Sequence, residues 1–420
     1  MDDAGNWDWG TQEKRIEITP WQDQFRWVEE PQTSPDGEKI AAIVNVDEGE
    51  FSVCVNGETW ENSFDKIWHL RFAPDGRLTG LVSEGGEWTV AVDGEAWENK
   101  FGYVWNPLFS RDGRTIAVAA QQDGRYCMVV NATAWEETYA NMTYFALSPD
   151  GAHCAAAVQV VDADSGEVHK FQQGTFSAAL DGQAWDSRFV NVWNLAISDD
   201  GSRLAAEVRL TLYDYTIAVN GKPWEATYGA VWEPIFHPRS QAAVAPVRSA
   251  GKWTLAQDGK ILWSNRFVQL WQQMFSPDGR RLAAIVAPAY GRWTLAVDGQ
   301  PWHTTFKELV CDAVFSPDGR KVAALGKQDG KYAVMVDDQV WGNTFDMAFK
   351  PVISPDGATV AARIEKNGKY GYVINDRLWS GQCSAAWEPV FSPQGDKLLL
   401  RTVEDGVYCR RVVPVSELSR

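Results

Sequence analysis

The chain has 420 residues, ample for a large buried core, and an apolar fraction of 45%, which excludes wholesale disorder. A formal charge of −17 excludes the basic surface that sequence-independent nucleic-acid binding needs, and equally a polybasic face for anionic lipid. With 22 tryptophans and 35 glycines, the composition favours many short strands joined by tight turns.

Residues 1–13 form an acidic, polar tail outside any repeat. The tail carries Trp7 and Trp9, aromatics that water disfavours unless something covers them, so both are candidate partner-binding residues. No basic segment followed by an apolar stretch opens the chain, and no run approaches 18 apolar residues. The expectation is a cytoplasmic protein without direct membrane insertion. Strand patterns begin at residue 14, and the one around 19–25 is expected to complete the last repeat.

From there one unit recurs. Ser-Pro-Asp-Gly stands at 34–37, 148–151, 276–279, 316–319 and 354–357, with degenerate copies starting at Ala73, Ser110, Ser198, His237 and Ser392. The spacing is roughly 38 residues, broken once by an interval of about 50. A short apolar strand enters each turn, as in Val231-Trp232-Glu233-Pro234-Ile235-Phe236. A second strand leaves it, as in Arg281-Leu282-Ala283-Ala284-Ile285-Val286, and a third follows a Gly-containing turn. Then comes Asn-Gly or Asp-Gly, the strongest short hairpin signal because a type I′ turn needs positive φ twice. The fourth strand carries Trp and, four residues later, Phe or Tyr. Pro31, Pro107, Pro234, Pro351 and Pro389 mark the first strand as a sheet edge, since proline lacks a ladder donor.

Four antiparallel strands per unit, in tandem, define an all-β fold: a β-propeller of about ten four-stranded repeats over residues 14–414. One ten-bladed ring is favoured over two five-bladed rings, which would divide near 215–240. The N-terminal strand closes the last blade and removes a free edge.

Ten tryptophans share the fourth-strand position: Trp21, Trp60, Trp97, Trp135, Trp185, Trp224, Trp263, Trp302, Trp341 and Trp379. One residue type at ten equivalent positions reads as interblade packing. Six more, Trp68, Trp105, Trp193, Trp232, Trp271 and Trp387, lie on first strands, and Trp88, Trp253 and Trp293 on third strands.

No catalytic constellation emerges, so the chain is expected to be no enzyme. The five histidines fall at unrelated repeat positions, with no HxH or HExxH spacing, and neither a metal nor a cofactor is expected. The turn aspartates are single carboxylates without the alternating oxygen ligands of a calcium loop. The six cysteines, none in a CxxC pair, read as small reduced hydrophobes. The long interval is an insertion hairpin at 158–177, and its Asp162, Asp164, Glu167, His169 and Lys170 are candidate contact residues.

Phe-Ser-Pro-Asp-Gly-Arg followed by Leu-Ala-Ala, at 275–284, resembles the WD40-like propeller repeats of bacterial proteins, and 315–324 is similar. More narrowly, the tryptophan placement on such repeats resembles the tryptophan-rich, cofactor-free subunit of the transmembrane cytochrome c complex of sulfate-reducing bacteria. That resemblance implies a scaffold role in a membrane-associated electron-transfer complex. The implied partners are a cytoplasmic iron–sulfur subunit related to heterodisulfide reductases, a membrane cytochrome b and a periplasmic multihaem cytochrome c. Two other readings stay open: a free-standing propeller that binds a glycan or peptide through exposed aromatics, and an enzyme with its site in the channel.

Overall fold

The computed structural model describes residues 4–162, 166–379 and 381–418. These form ten antiparallel sheets, each with the strand order first, second, third, fourth. The chain is therefore a β-propeller of ten WD40-like, four-stranded blades, numbered here 1 to 10 from the Ser-Pro-Asp-Gly turn at Ser34. Internal contacts divide it into two compact units, Met1–Ser63 with Phe267–Arg420, and Phe64–Arg266. The first contains blades 7–10 and blade 1; the second contains blades 2–6. The first strands of neighbouring blades touch one another from blade 3 to blade 6 and from blade 8 to blade 10, so the first strand is the inner one.

The turn chemistry explains why the motif recurs. In the turn at Ser316, the Ser316 hydroxyl donates to Asp318 and accepts from the Lys321 amide at 2.9 Å, while Asp318 accepts from the Arg320 amide at 3.0 Å. Ser316 is fully buried, so its hydroxyl needs these partners. At the Asn-Gly and Asp-Gly turns the side chain does a second job. Asn56 Oδ1 accepts from the Ile40 amide at 2.8 Å, and Asp298 Oδ1 accepts from the Leu282 amide at 2.9 Å. Each Asx side chain thereby ties the end of the third strand to the start of the second.

The core lies between blades. Ala117, Ala119 and Met128 of blade 3 meet Met142, Cys154 and Ala156 of blade 4, all buried. Alanine-rich second strands, such as Leu204-Ala205-Ala206, let neighbouring sheets approach closely. The repeated tryptophan stands just past the short outer strand, and its amide donates back to the third strand, as from Trp135 to Met128 O at 2.9 Å. Its ring lies on the turn of the next blade. A Cβ at Gly182, where φ is +83°, would come within 3.3 Å of the Trp135 ring, so this turn takes glycine for both reasons.

The last blade is completed from the N-terminus, but by Glu13–Glu17 rather than by a strand at 19–25. Thr19–Gln24 is a short helix with Pro20 in its first turn, where proline's fixed φ suits helical backbone and its missing N–H costs nothing. Trp21 is nonetheless buried, against Ile40, Ala42 and Cys54 of blade 1. The 158–177 insertion also departs from a hairpin: its described residues include the helix Val168–Gln172. The segment Val168-His169-Lys170-Phe171-Gln172 lacks the two-residue alternation that a strand pair requires.

The inner strands carry a bulge that the sequence pattern did not signal. Glu30, His69, Asn106, Tyr144, Asn194, Gln272 and Asp312 have positive φ at equivalent positions. In blades 6, 9 and 10, Pro234, Pro351 and Pro389 instead split the inner strand into two short pieces.

Candidate functional site

Two features break the repeat and carry the candidate chemistry. The first is a rim in the unit Phe64–Arg266. Hairpin pairing puts the start of each inner strand beside the turn between second and third strands: Tyr103 opposite Gln121, Met142 opposite Val158, Asn191 opposite Arg209. Trp68 and Tyr103 of blades 2 and 3, Val168 of the insertion, and Leu212 and Tyr213 of blade 5 are all exposed at this end, Tyr213 by 77%. Aromatic contacts link blades 2, 3 and 4 beneath it. Trp68 sits 4.5 Å from Trp88, Tyr103 5.9 Å from Trp105, and Trp105 6.0 Å from Phe145 of blade 4. The third-strand tryptophans support inner-strand ones in the same way, Trp253 under Trp232 and Trp293 under Trp271.

The second is a polar layer in the other unit. At one register position the second and third strands of blade 8 carry Leu325 opposite Val334. The equivalent pairs are Arg363 opposite Tyr372 in blade 9, and Arg401 opposite Arg410 in blade 10. Two guanidiniums facing each other across a ladder repel, and here carbonyls answer them. Arg401 donates to Ser34 O and Glu388 O, both at 2.7 Å. Arg410 donates to Asp36 O at 2.9 Å and to Asp8 O, and pairs with Glu38 at 3.1 Å. The Tyr372 hydroxyl, fully buried, bonds to Trp387 O and Arg401 O, each at 2.9 Å. Burial pushes the Tyr372 phenol well above its usual range and lowers Arg401.

Beside this layer, at the inner strands of blades 8 to 10, is a cavity of about 430 Å³. Asp312, Met347, Phe349, Lys350, Arg363 and Glu388 line it. The Arg363 guanidinium carbon lies 3.5 Å above the Phe349 ring centroid, and Arg363 Nη1 donates to Ala386 O at 2.6 Å.

Blade 5 breaks the same register position with an acid. Glu207 is buried and accepts from Asn194 Nδ2 at 2.8 Å. Burial pushes its carboxyl up to about 7; the Glu233 charge adds and the Asn194 bond opposes. A folded-state pKa above the unfolded one makes this contribution complete below about pH 4.5 and lost as pH rises through about 7. Glu207→Gln should therefore raise stability at pH 8 by about 2–3 kcal/mol and change little at pH 5. Thermal melts of both proteins at the two pH values check this; an equal difference at both would contradict it.

The residues expected to bind partners are not gathered into one cluster. Trp7 and Trp9 are half-buried and stacked, with ring centroids 6.1 Å apart. Their segment is folded onto blade 10: Lys397 Nζ donates to Trp9 O at 2.8 Å, and Asp8 Oδ2 pairs with Lys14 at 2.9 Å. Asp162 and Arg125 of blade 3, both exposed, lie 3.7 Å apart. Glu167 and Lys170 pair with each other at 2.8 Å, His169 is exposed, and Asp164 lies outside the described residues. Among the described residues no group of three His, Cys, Asp or Glu side chains could hold a metal ion. Of the cysteines, Cys54, Cys127, Cys154, Cys383 and Cys409 are buried, and Cys311 is half-buried. Burial pushes the thiols of Cys154 and Cys383 up to about 12.

Sequence reasoning passed over Arg363, Arg401, Arg410 and Glu207. The signal was present: each is a charge inside an apolar strand, as in Val360-Ala361-Ala362-Arg363 or Leu398-Leu399-Leu400-Arg401.

Fold and site together define a WD40-like β-propeller with an aromatic rim and a buried polar layer. No protein-family model matches the chain. No curated protein matches it either. Among solved structures, the chain is similar to a eukaryotic initiation factor at 13% identity and a TM-score of 0.48, over 79% of this chain and 90% of that one. It is similar to the β-propeller domain of Cps50 (Swd1) from Myceliophteria thermophila at 13% identity and a TM-score of 0.31, over 65% and 96%. It is also similar to dihydro-haem d1 dehydrogenase NirN in complex with DHE at 15% identity and a TM-score of 0.39, over 84% and 74%. The propeller class rests on the ten sheets themselves and not on these superpositions.

Proposed function

We propose that the chain is a non-catalytic interaction scaffold. The observation that carries this reading is the rim of blades 2–5, where Trp68, Tyr103, Val168, Leu212 and Tyr213 expose apolar surface at one end of a rigid set of sheets. Large aromatics on a rigid frame lose little conformational entropy on docking, which suits a protein-binding surface. The finer reading follows from the resemblance in tryptophan placement: a cytoplasmic subunit of a membrane-associated electron-transfer complex. In that complex the rim docks on an iron–sulfur subunit of the heterodisulfide-reductase type, beside a cytochrome b and a multihaem cytochrome c. No helix among the described residues is long and apolar enough to cross a membrane, so attachment in this reading is through the partners.

Native extraction and affinity purification, with mass spectrometry of co-eluting chains, test the proposal. Stable co-elution of iron–sulfur and haem subunits is expected, and Leu212→Asp with Tyr213→Asp should reduce it at least tenfold. A monomer free of partners would contradict the scaffold reading; co-elution with unrelated proteins would contradict only the redox assignment. The parallel Trp232–Trp253 pair, 5.3 Å between centroids with Trp232 44% exposed, favours glycan binding as a second reading. Saturable quenching of tryptophan fluorescence by an oligosaccharide would support it.

A further inference from the structure

The chain holds three Asn-Gly pairs, at 56–57, 220–221 and 367–368. Each pair forms the centre of a hairpin turn with positive φ at both residues, the asparagines standing at +52°, +47° and +55°. The backbone is therefore alike at all three, and the surroundings of the carboxamide differ. Asn56 Oδ1 accepts from the Ile40 amide at 2.8 Å and its Nδ2 donates to Glu38 O at 3.0 Å. Asn220 is held in the same way, by the Leu204 amide at 2.8 Å and Ser202 O at 3.3 Å. A Cβ added at Gly57 or Gly221 would stand 3.9 Å from Trp21 or 3.3 Å from Trp185. Asn367 lies at the other kind of turn, between the second strand Val360–Lys366 and the third strand Lys369–Ile374 of blade 9. Its backbone amide donates to Asp346 Oδ2 at 2.7 Å, but its carboxamide is exposed and makes no hydrogen bond among the described residues. A Cβ added at Gly368 would meet nothing within 4 Å.

We propose that Asn367 is a site of spontaneous covalent modification by deamidation, and that the fold protects Asn56 and Asn220 from the same reaction. The Gly368 backbone nitrogen attacks Asn367 Cγ, and the new C–N bond closes a succinimide ring. The Cγ–Nδ2 bond breaks, and Nδ2 leaves as ammonia with the proton that the Gly368 nitrogen gives up. Water then opens the ring at either carbonyl, which yields aspartate or isoaspartate. Glycine suits the attacking position because no side chain shields its nitrogen. The turn must open for the attack, and an exposed hairpin tip opens at low cost. At Asn56 and Asn220 the opening must also break two carboxamide hydrogen bonds. Either product adds a negative charge to the turn of blade 9. Isoaspartate also lengthens the turn backbone by the Asn367 Cβ, which disturbs the pairing of Lys366 with Lys369.

The test incubates the full folded chain at pH 8 and follows each site by peptide mapping, with electron-transfer fragmentation to tell isoaspartate from aspartate. Conversion at Asn367 should run at least tenfold faster than at Asn56 or Asn220, and both products should form. A parallel incubation in guanidinium chloride that unfolds the chain should bring the three sites to similar rates, since each is followed by glycine. No conversion at Asn367 in the folded chain, or equal or faster conversion at Asn56 or Asn220, would overturn the proposal. A preference for Asn367 that survives unfolding would overturn it too, because the cause would then be the neighbouring residues and not the fold.

Discussion

Removal of residues 1–17 is expected to produce the largest loss of stability. The segment Glu13–Glu17 pairs with Val407–Pro414 over five residues, Glu13 opposite Arg411 through Glu17 opposite Val407. Its loss also removes the Arg411–Glu13 and Lys14–Glu38 ion pairs and the Asp8 carbonyl that Arg410 uses. At about 1 kcal/mol per net hydrogen bond, the ladder alone contributes about 5 kcal/mol. The bared strand would also present an open edge, so concentration-dependent self-association should accompany the loss. Urea unfolding followed by tryptophan fluorescence, with light scattering of the folded sample, reads both effects. An unchanged midpoint would mean that the N-terminal strand is not a structural part of blade 10.

Arg410→Met should have the second largest effect, about 3–5 kcal/mol. Arg410 is fully buried and joins three segments: its own strand, the tail through Asp8, and the first turn through Asp36 and Glu38. Truncation takes the donor away from Asp36 O and Asp8 O. The facing charge on Arg401 changes what a double replacement should do. Arg401→Leu with Arg410→Val reproduces the Leu325–Val334 pair of blade 8 and removes a like-charge pair, so its cost should fall well below the sum of the single costs. Denaturation midpoints of Arg401→Leu, Arg410→Val and the double that combines them give the coupling directly. Strict additivity would show that the two guanidiniums do not act as one unit.

The repeat was legible because each of its turns uses local chemistry. Ser, Asp and Gly at fixed offsets satisfy a turn within six residues, and an Asx side chain closes the next hairpin. The tryptophan position was legible for the same reason of recurrence. What escaped reading depends on contacts distant in sequence. Trp7 and Trp9 stood out as a tail, yet their anchors, Lys397 and Arg410, lie at the other end of the chain. The closing strand was misplaced by a few residues because Trp21 and Phe25 repeat the outer-strand pattern within and just after a short helix. The polar layer escaped because a two-residue period registers that a strand exists, not that Arg363 departs from the apolar residues at its register position. The positive-φ bulges fall on residues as different as His69, Tyr144 and Gln272, so no residue type marks them.

Cross-linking mass spectrometry of the natively extracted protein tests the scaffold account most directly. Lys66, Lys170 and Lys252 lie at the rim end of blades 2, 4 and 6, whereas Lys222 and Lys260 follow the Asx-Gly turns at the opposite end. The account predicts cross-links from the first three to a second polypeptide and none from the other two. Cross-links to partners from Lys222 and Lys260 alone, or cross-links only within the chain, would contradict it.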